Sequence, residues 1–210
     1  MFDHVTLRVP DLAVAEERFQ ALLDPLAFDE SLRTRNLAMW DDFIVTATDR
    51  EHDVTRRAQI MFSASTETAA SEFADAARAA GLTEQDGAFT DERGNRFGAV
   101  VRTPRRPGTV ACVTLQVADR AASARFYAAI GIDLERAELR LAAGEPTAGL
   151  HLAFPGDDDA VRHFFSAGIA AGGRPNGGPG ERAVYHPGYY AAYVLDPDGN
   201  NIEVVNHHRG

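Results

Sequence analysis

Residues 189–207 read YYAAYVLDPDGNNIEVVNH. An aromatic run leads into DPDG (196–199), a turn in which Pro presets φ, Asp caps the backbone and Gly tolerates positive φ. A second strand follows, with Glu203 between Ile202 and Val204. Side chains alternate between the two faces of a strand, so Glu203 lies opposite its two apolar neighbours. An ionised carboxylate inside a sheet is costly unless it is paired or metal-bound. The stretch therefore predicts a sheet with one apolar face under helices and one polar face that holds a carboxylate.

The rest of the chain repeats this logic. HVTLRVPD (4–11) returns as CVTLQVAD (112–119), displaced by 108 positions. QIMF (59–62) returns as HLAF (151–154), displaced by 92, and Gly81 maps onto Gly173 at the same offset. DERGNRFGAVV from Asp91 returns as DPDGNNIEVVN from Asp196, displaced by 105. Three echoes in one order imply two homologous halves. The boundary falls in TPRRPG (103–108), whose composition suits an exposed linker, giving units 1–104 and 109–210. Within each half the pattern runs strand, helix, strands, strand, helix, hairpin. Val5, Leu7 and Val9 alternate with His4, Thr6 and Arg8. Leu12, Ala15, Phe19 and Leu22 then follow at helical spacing, as do Phe73, Ala76, Ala77 and Ala80, and later Val161, Phe164, Phe165 and Gly168.

Strand parity selects the residues of the polar face. In the second half these are Cys112, Thr114 and Gln116 on one strand, His151 and Ala153 on another, and Glu203 on the last. A thiol, an imidazole and a carboxylate could hold one divalent metal and leave positions open for substrate. Equally, Cys112 could be a small core residue, and His151 and Glu203 could simply hydrogen-bond each other. The matching first-half positions are His4, Gln59 and Gly98, a set with one good ligand.

The Gly/Pro-rich loop 171–190 leads into Tyr185, Tyr189, Tyr190 and Tyr193, four of the five tyrosines. Aromatic walls with polar tips suit a small-molecule pocket, and a solvated loop followed by a packed strand would read the same way. His186 is a candidate acid or base, or a turn residue before Pro187. His163, His52, His207 and His208 are assigned no role; the last two stand beside the chain end, where fraying is common.

The net charge of −10 argues against nucleic acid. No run of 18 apolar residues exists, so no membrane span is expected. The N-terminus enters a strand directly, without a secretory pattern. The lone cysteine rules out an internal disulfide framework and fits a reducing cytoplasm.

HPGYYAAYVLDPDGNNIEVV, with HLAF and the VTLQV strand, resembles the glyoxalase/bleomycin-resistance/extradiol dioxygenase superfamily, the vicinal oxygen chelate proteins. The likeness spans nearly the whole chain and is more specific in the second half. It implies an α+β fold of tandem βαβββ modules, forming curved mixed sheets with helices outside, in two glyoxalase-like domains. It also implies one divalent metal (Fe, Mn, Ni or Zn), no organic cofactor, and ligands carried over as Cys112, His151 and Glu203. Cys112 departs from the His usual at that position, and a thiolate beside O₂-activating iron invites oxidation. His186, Tyr193, Asp196, Pro197, Gly199 and Glu203 resemble the ring-cleaving dioxygenase signature, with Ala192 a mismatch. Residues 131–149 are short for the full strand set that the resemblance implies there.

The expected function is a metal-dependent lyase, isomerase or ring-cleaving dioxygenase acting on a small oxygenated substrate in the second half. His186 and Tyr193 are its catalytic candidates. Tyr185, Tyr189, Thr114 and Gln116 are its substrate-binding candidates. The alternative is a metal-free binder of the drug-sequestering, bleomycin-resistance kind. The expected partners are a small-molecule ligand and a second copy in a homodimer. Two module pairings stay open: each half closing on itself, or pairing across the repeat, which would bring His4 beside His151 and Glu203.

Overall fold

The computed structural model describes residues 1–103 and 108–208. Most of the linker expected over 103–108 therefore lies outside the described residues. Four strand–helix modules follow one another. The first holds β1 (His4–Val9), α1 (Leu12–Leu23), β2 (Glu30–Arg33), β3 (Leu37–Trp40) and β4 (Phe43–Ala47). The second holds β5 (Ala58–Ala64), α2 (Glu67–Ala79), β6 (Thr83–Gln85), β7 (Ala88–Thr90) and β8 (Arg96–Val101). The third is short, with β9 (Val110–Val117), α3 (Arg120–Ala129) and β10 (Leu139–Ala143). The fourth holds β11 (His151–Pro155), α4 (Asp158–Ala170), β12 (Arg174–Glu181), β13 (Tyr190–Leu195) and β14 (Asn201–Asn206).

Each module turns from strand to helix by the same device. The side chains of Asp11, Thr66, Asp119 and Asp157 accept hydrogen bonds from backbone N–H groups of the first turns of α1, α2, α3 and α4. Such caps satisfy donors that have no partner inside the helix. The recurrence of Asp11 as Asp119 is thus a capping requirement. The helices bury Phe19, Leu22, Phe73, Phe126 and Phe164 against the apolar faces of the strands.

The strands form two mixed sheets, and each draws on both halves of the chain. One has the order β12-β13-β14-β11-β1-β4-β3-β2, the other β10-β9-β5-β8-β7-β6. The first module thus shares a sheet with the fourth, and the second with the third. β1 runs antiparallel to β11, with His4 opposite Ala153 and Thr6 opposite His151. β5 runs antiparallel to β9, with Met61 opposite Cys112 and Gln59 opposite Thr114. The units 1–104 and 109–210 therefore do not close separate sheets.

The physical reason lies in two crossing segments. Arg56 and Ala148 exchange a pair of backbone hydrogen bonds at 2.9 and 3.1 Å. Beside them, the fully buried Thr55 hydroxyl donates to the Gly149 carbonyl at 2.9 Å and accepts from the Arg8 N–H. The equally buried Thr147 hydroxyl donates to the Arg57 carbonyl at 2.9 Å and accepts from the Gln116 N–H. The two segments satisfy one another's buried polar groups, as interior backbone must, and that sends β5 to β9 and β11 to β1.

The short third module has one consequence for shape. β10 pairs in parallel with β9, as β4 does with β1, but among the described residues nothing corresponds to the β2–β3 hairpin beyond it. Among the described residues, no helix is long and apolar enough to cross a membrane.

Candidate metal centre

The polar face of the eight-stranded sheet gathers its functional groups where β1, β11 and β14 adjoin. In register, His4 lies beside Ala153 and Ala153 beside Glu203. His151 enters from one pair further along, beside Thr6 and Asn201. The ligand atoms of His4, His151 and Glu203 lie within 4.8 Å of one another. The two imidazoles stack, with centroids 5.2 Å apart and planes 11° from parallel.

Glu203 is 1% exposed and its partners are specific. His151 Nε2 is 2.9 Å from Oε2, and the Tyr189 hydroxyl donates to Oε1 at 2.6 Å. Burial works against its charge, but the hydrogen bonds and the charges of His151 and His4 outweigh that effect and hold it below the ordinary carboxylate value. Burial likewise pushes His151 down, helped by the charges of His4 and Arg8 and opposed by Glu203. Both directions favour a neutral imidazole, which donates Nε2–H to the ionised carboxylate. On its other side, His151 Nδ1 meets the amide of Asn201, which in turn takes a hydrogen bond from Asn176 at 2.9 Å.

His4 meets Glu203 differently. Its Nδ1 is 2.8 Å from a carboxylate oxygen of Asp3, which can only accept, so the proton sits there. In the neutral ring Nε2 then presents its lone pair toward Glu203 Oε2, 3.7 Å away and beyond hydrogen-bond distance. Two lone pairs aimed at one space are what a cation between them would satisfy. Two imidazoles and one carboxylate are also a donor set that suits Fe, Mn, Ni, Co or Zn. The small Ala153 between their strands leaves the space clear. The residues present therefore fit a divalent ion.

The other sequence candidates divide sharply. His151 and Glu203 come together as expected, but Cys112, Thr114 and Gln116 do not join them. All three lie on β9 in the six-stranded sheet, because β9 partners β5 and not β11. Cys112 is buried there and burial raises its thiol pKa, which disfavours the thiolate that metals bind. Tyr189 touches Glu203, and Tyr193 stands opposite it on β13, with its ring 6.2 Å from that of His151. Burial, then the charge of Glu203, pushes both phenols well above the ordinary value. Tyr185 is 63% exposed and packs on Tyr189 with ring centroids 4.8 Å apart. His186 does not touch Glu203; its nitrogens meet the Pro187 carbonyl and His207.

Sequence reasoning gave no role to His207 or Asp3 and made His4 only the alternative ligand. The signal for His4 was present in its strand parity and in its place as the repeat partner of Cys112. Asp3 and His207 carry no local signal, since they meet across 204 positions of sequence.

No protein-family model and no curated protein sequence matches this chain. Solved structures do. A variant of glyoxalase I from Zea mays aligns with a TM-score of 0.69 and 19% identity, over 98% of this chain and 93% of that one. Glyoxalase I from Zea mays itself aligns at 0.64 and 16%, over 98% and 92%. A putative dioxygenase from Bacillus subtilis aligns at 0.61 and 12%, over 100% and 86%. These alignments, at 12–19% identity, show that the chain has the fold of glyoxalase I and of that putative dioxygenase.

Proposed function

We propose that the chain is a divalent-metal-dependent enzyme of the lyase, isomerase or ring-cleaving dioxygenase kind, with His4, His151 and Glu203 as the metal ligands. Its substrate is a small molecule with neighbouring oxygens. The observation that carries this reading is the cluster of His4, His151 and Glu203, whose ligand atoms lie within 4.8 Å of one another although they come from opposite ends of the sequence. A bound ion would act there as a Lewis acid on substrate oxygens, leaving open positions beyond its three protein ligands.

The protein groups around that centre have definable tasks. Tyr189 holds Glu203 by its Oε1 and leaves Oε2 facing both imidazoles. Tyr193 stays protonated across the physiological range, because burial, and then the negative charge of Glu203 beside it, disfavour its phenolate. It can therefore donate a hydrogen bond to a substrate oxygen as charge develops. His151 offers Nε2 to an ion once its proton sits on Nδ1. The Asn201 amide, rotated to present its oxygen, accepts a hydrogen bond from that Nδ1–H, and the Asn176 amide rotates with it.

The test is metal analysis of protein purified without chelator. We expect about one Fe, Mn, Ni or Zn per chain from a single three-ligand site, lost in Glu203→Gln. A second reading rests on the hydrogen bonds that Glu203 already receives from His151 and Tyr189, which close the cluster without a cation. Metal-free protein whose melting temperature rises with a small aromatic ligand would favour that reading, a binder of the drug-sequestering kind.

A further inference from the structure

A chain of hydrogen bonds runs outward from His4. Asp3 Oδ1 accepts from His4 Nδ1 at 2.8 Å, and Asp3 Oδ2 accepts from His207 Nε2 at 3.0 Å. His207 Nδ1 lies 3.0 Å from His186 Nε2, and the two rings stack with centroids 5.3 Å apart. The edge of Tyr189, which holds Glu203, packs against His207 at 5.0 Å. The Asp3 N–H is fixed to the Ala153 carbonyl at 2.8 Å, so its backbone cannot drift from the sheet.

We propose that Asp3, backed by His207 and His186, is the positioning residue of the metal centre: it locks His4 in the Nδ1–H tautomer and aims Nε2 at the ion. This rests on the metal reading above and extends it to residues that touch no ion. A carboxylate is the right group for the task. It accepts from two imidazoles at once and can donate to neither, so both rings must present an N–H to it. Free rotation about the His4 side chain would otherwise let either nitrogen face the site. Fixing the ring in advance removes that entropy cost from metal binding, and second-sphere partners of ligating imidazoles commonly matter by about 10–100-fold in affinity. The His207 and His186 rings keep Asp3 from turning to solvent.

Two measurements on the full chain test this. The first is the Kd for Mn²⁺ or Zn²⁺ by titration calorimetry. Asp3→Ala should weaken it by about 10–100-fold, Asp3→Asn should restore most of the loss, and His207→Ala should fall between. The amide of Asn can still accept from His4 and donate to His207, so rescue separates positioning from charge. The second is the imidazole ¹⁵N spectrum of metal-free protein. His4 should appear as the Nδ1–H form in the wild type and as a tautomer mixture in Asp3→Ala. A role in stability alone would lower the melting temperature and leave the tautomer and the Kd unchanged, which would overturn the proposal. If the wild type binds neither ion, the metal reading fails and the proposal built on it falls too, whichever tautomer His4 shows. If Asp3→Ala binds as tightly as the wild type, the positioning fails and the metal reading stands.

Discussion

The two sheets share one register and differ in what fills it. His4, Ala153 and Glu203 lie side by side in the eight-stranded sheet. Cys112, Met61 and Gly98 take the same places in the six-stranded sheet. Where the first has an alanine methyl between its ligands, the second has a methionine, whose Cε would lie 2.5 Å from a Cβ added at Gly98. Where the first has a carboxylate, the second has no side chain at all. In the eight-stranded sheet the middle place is an alanine methyl beside a carboxylate and two imidazoles. In the six-stranded sheet it is Met61, which lines a hollow there with Gln59 and Cys112.

That comparison can be broken from either side. Ala153→Met would place the bulk of Met61 in the candidate centre without altering a ligand. We expect loss of metal binding from protein that still folds, at a cost of about 1–3 kcal/mol for overpacking; metal analysis and denaturant melts check both halves of the statement. Gly98→Glu would place a carboxylate in the six-stranded sheet with no imidazole to receive it. It should destabilise the chain by several kcal/mol, about 3–5 as for an uncompensated buried charge, and circular dichroism melts would show it. A smaller effect is expected at the crossing segments, which set the pairing of both sheets. Thr55→Val or Thr147→Val leaves a backbone N–H and C=O short of a partner and should cost about 1–3 kcal/mol each, measured by urea unfolding. Smallest is Tyr127→Phe. It removes a buried 2.9 Å hydrogen bond to Asp196 at the turn before β14 and should cost about 1 kcal/mol.

Much of this was written in the sequence, in local terms. The alternation around Glu203 and His151 assigned both to the polar face, and the structure puts them in hydrogen-bond contact. The Asp11 and Asp119 echo marked the start of α1 and α3. The shortness of 131–149 announced a module with the single strand β10. Cys112 shows where such reasoning stops. Parity gives the face of a strand but not its neighbour, and the neighbour is chosen by contacts far apart in sequence. Thr55 and Thr147, displaced by the same 92 positions as Gln59 and His151, were the overlooked sign of a crossing between the halves. Their hydroxyls, buried against each other's strands, decide that β1 meets β11. Asp3 and His207 became legible only after that pairing was known.

The account turns on which residue completes the set begun by His151 and Glu203. Metal content of Cys112→Ala and His4→Ala, purified side by side without chelator, addresses this directly. The geometry predicts that Cys112→Ala retains the wild-type metal and His4→Ala loses it. Metal retained without His4 and lost without Cys112, or a wild type that carries none, would contradict it.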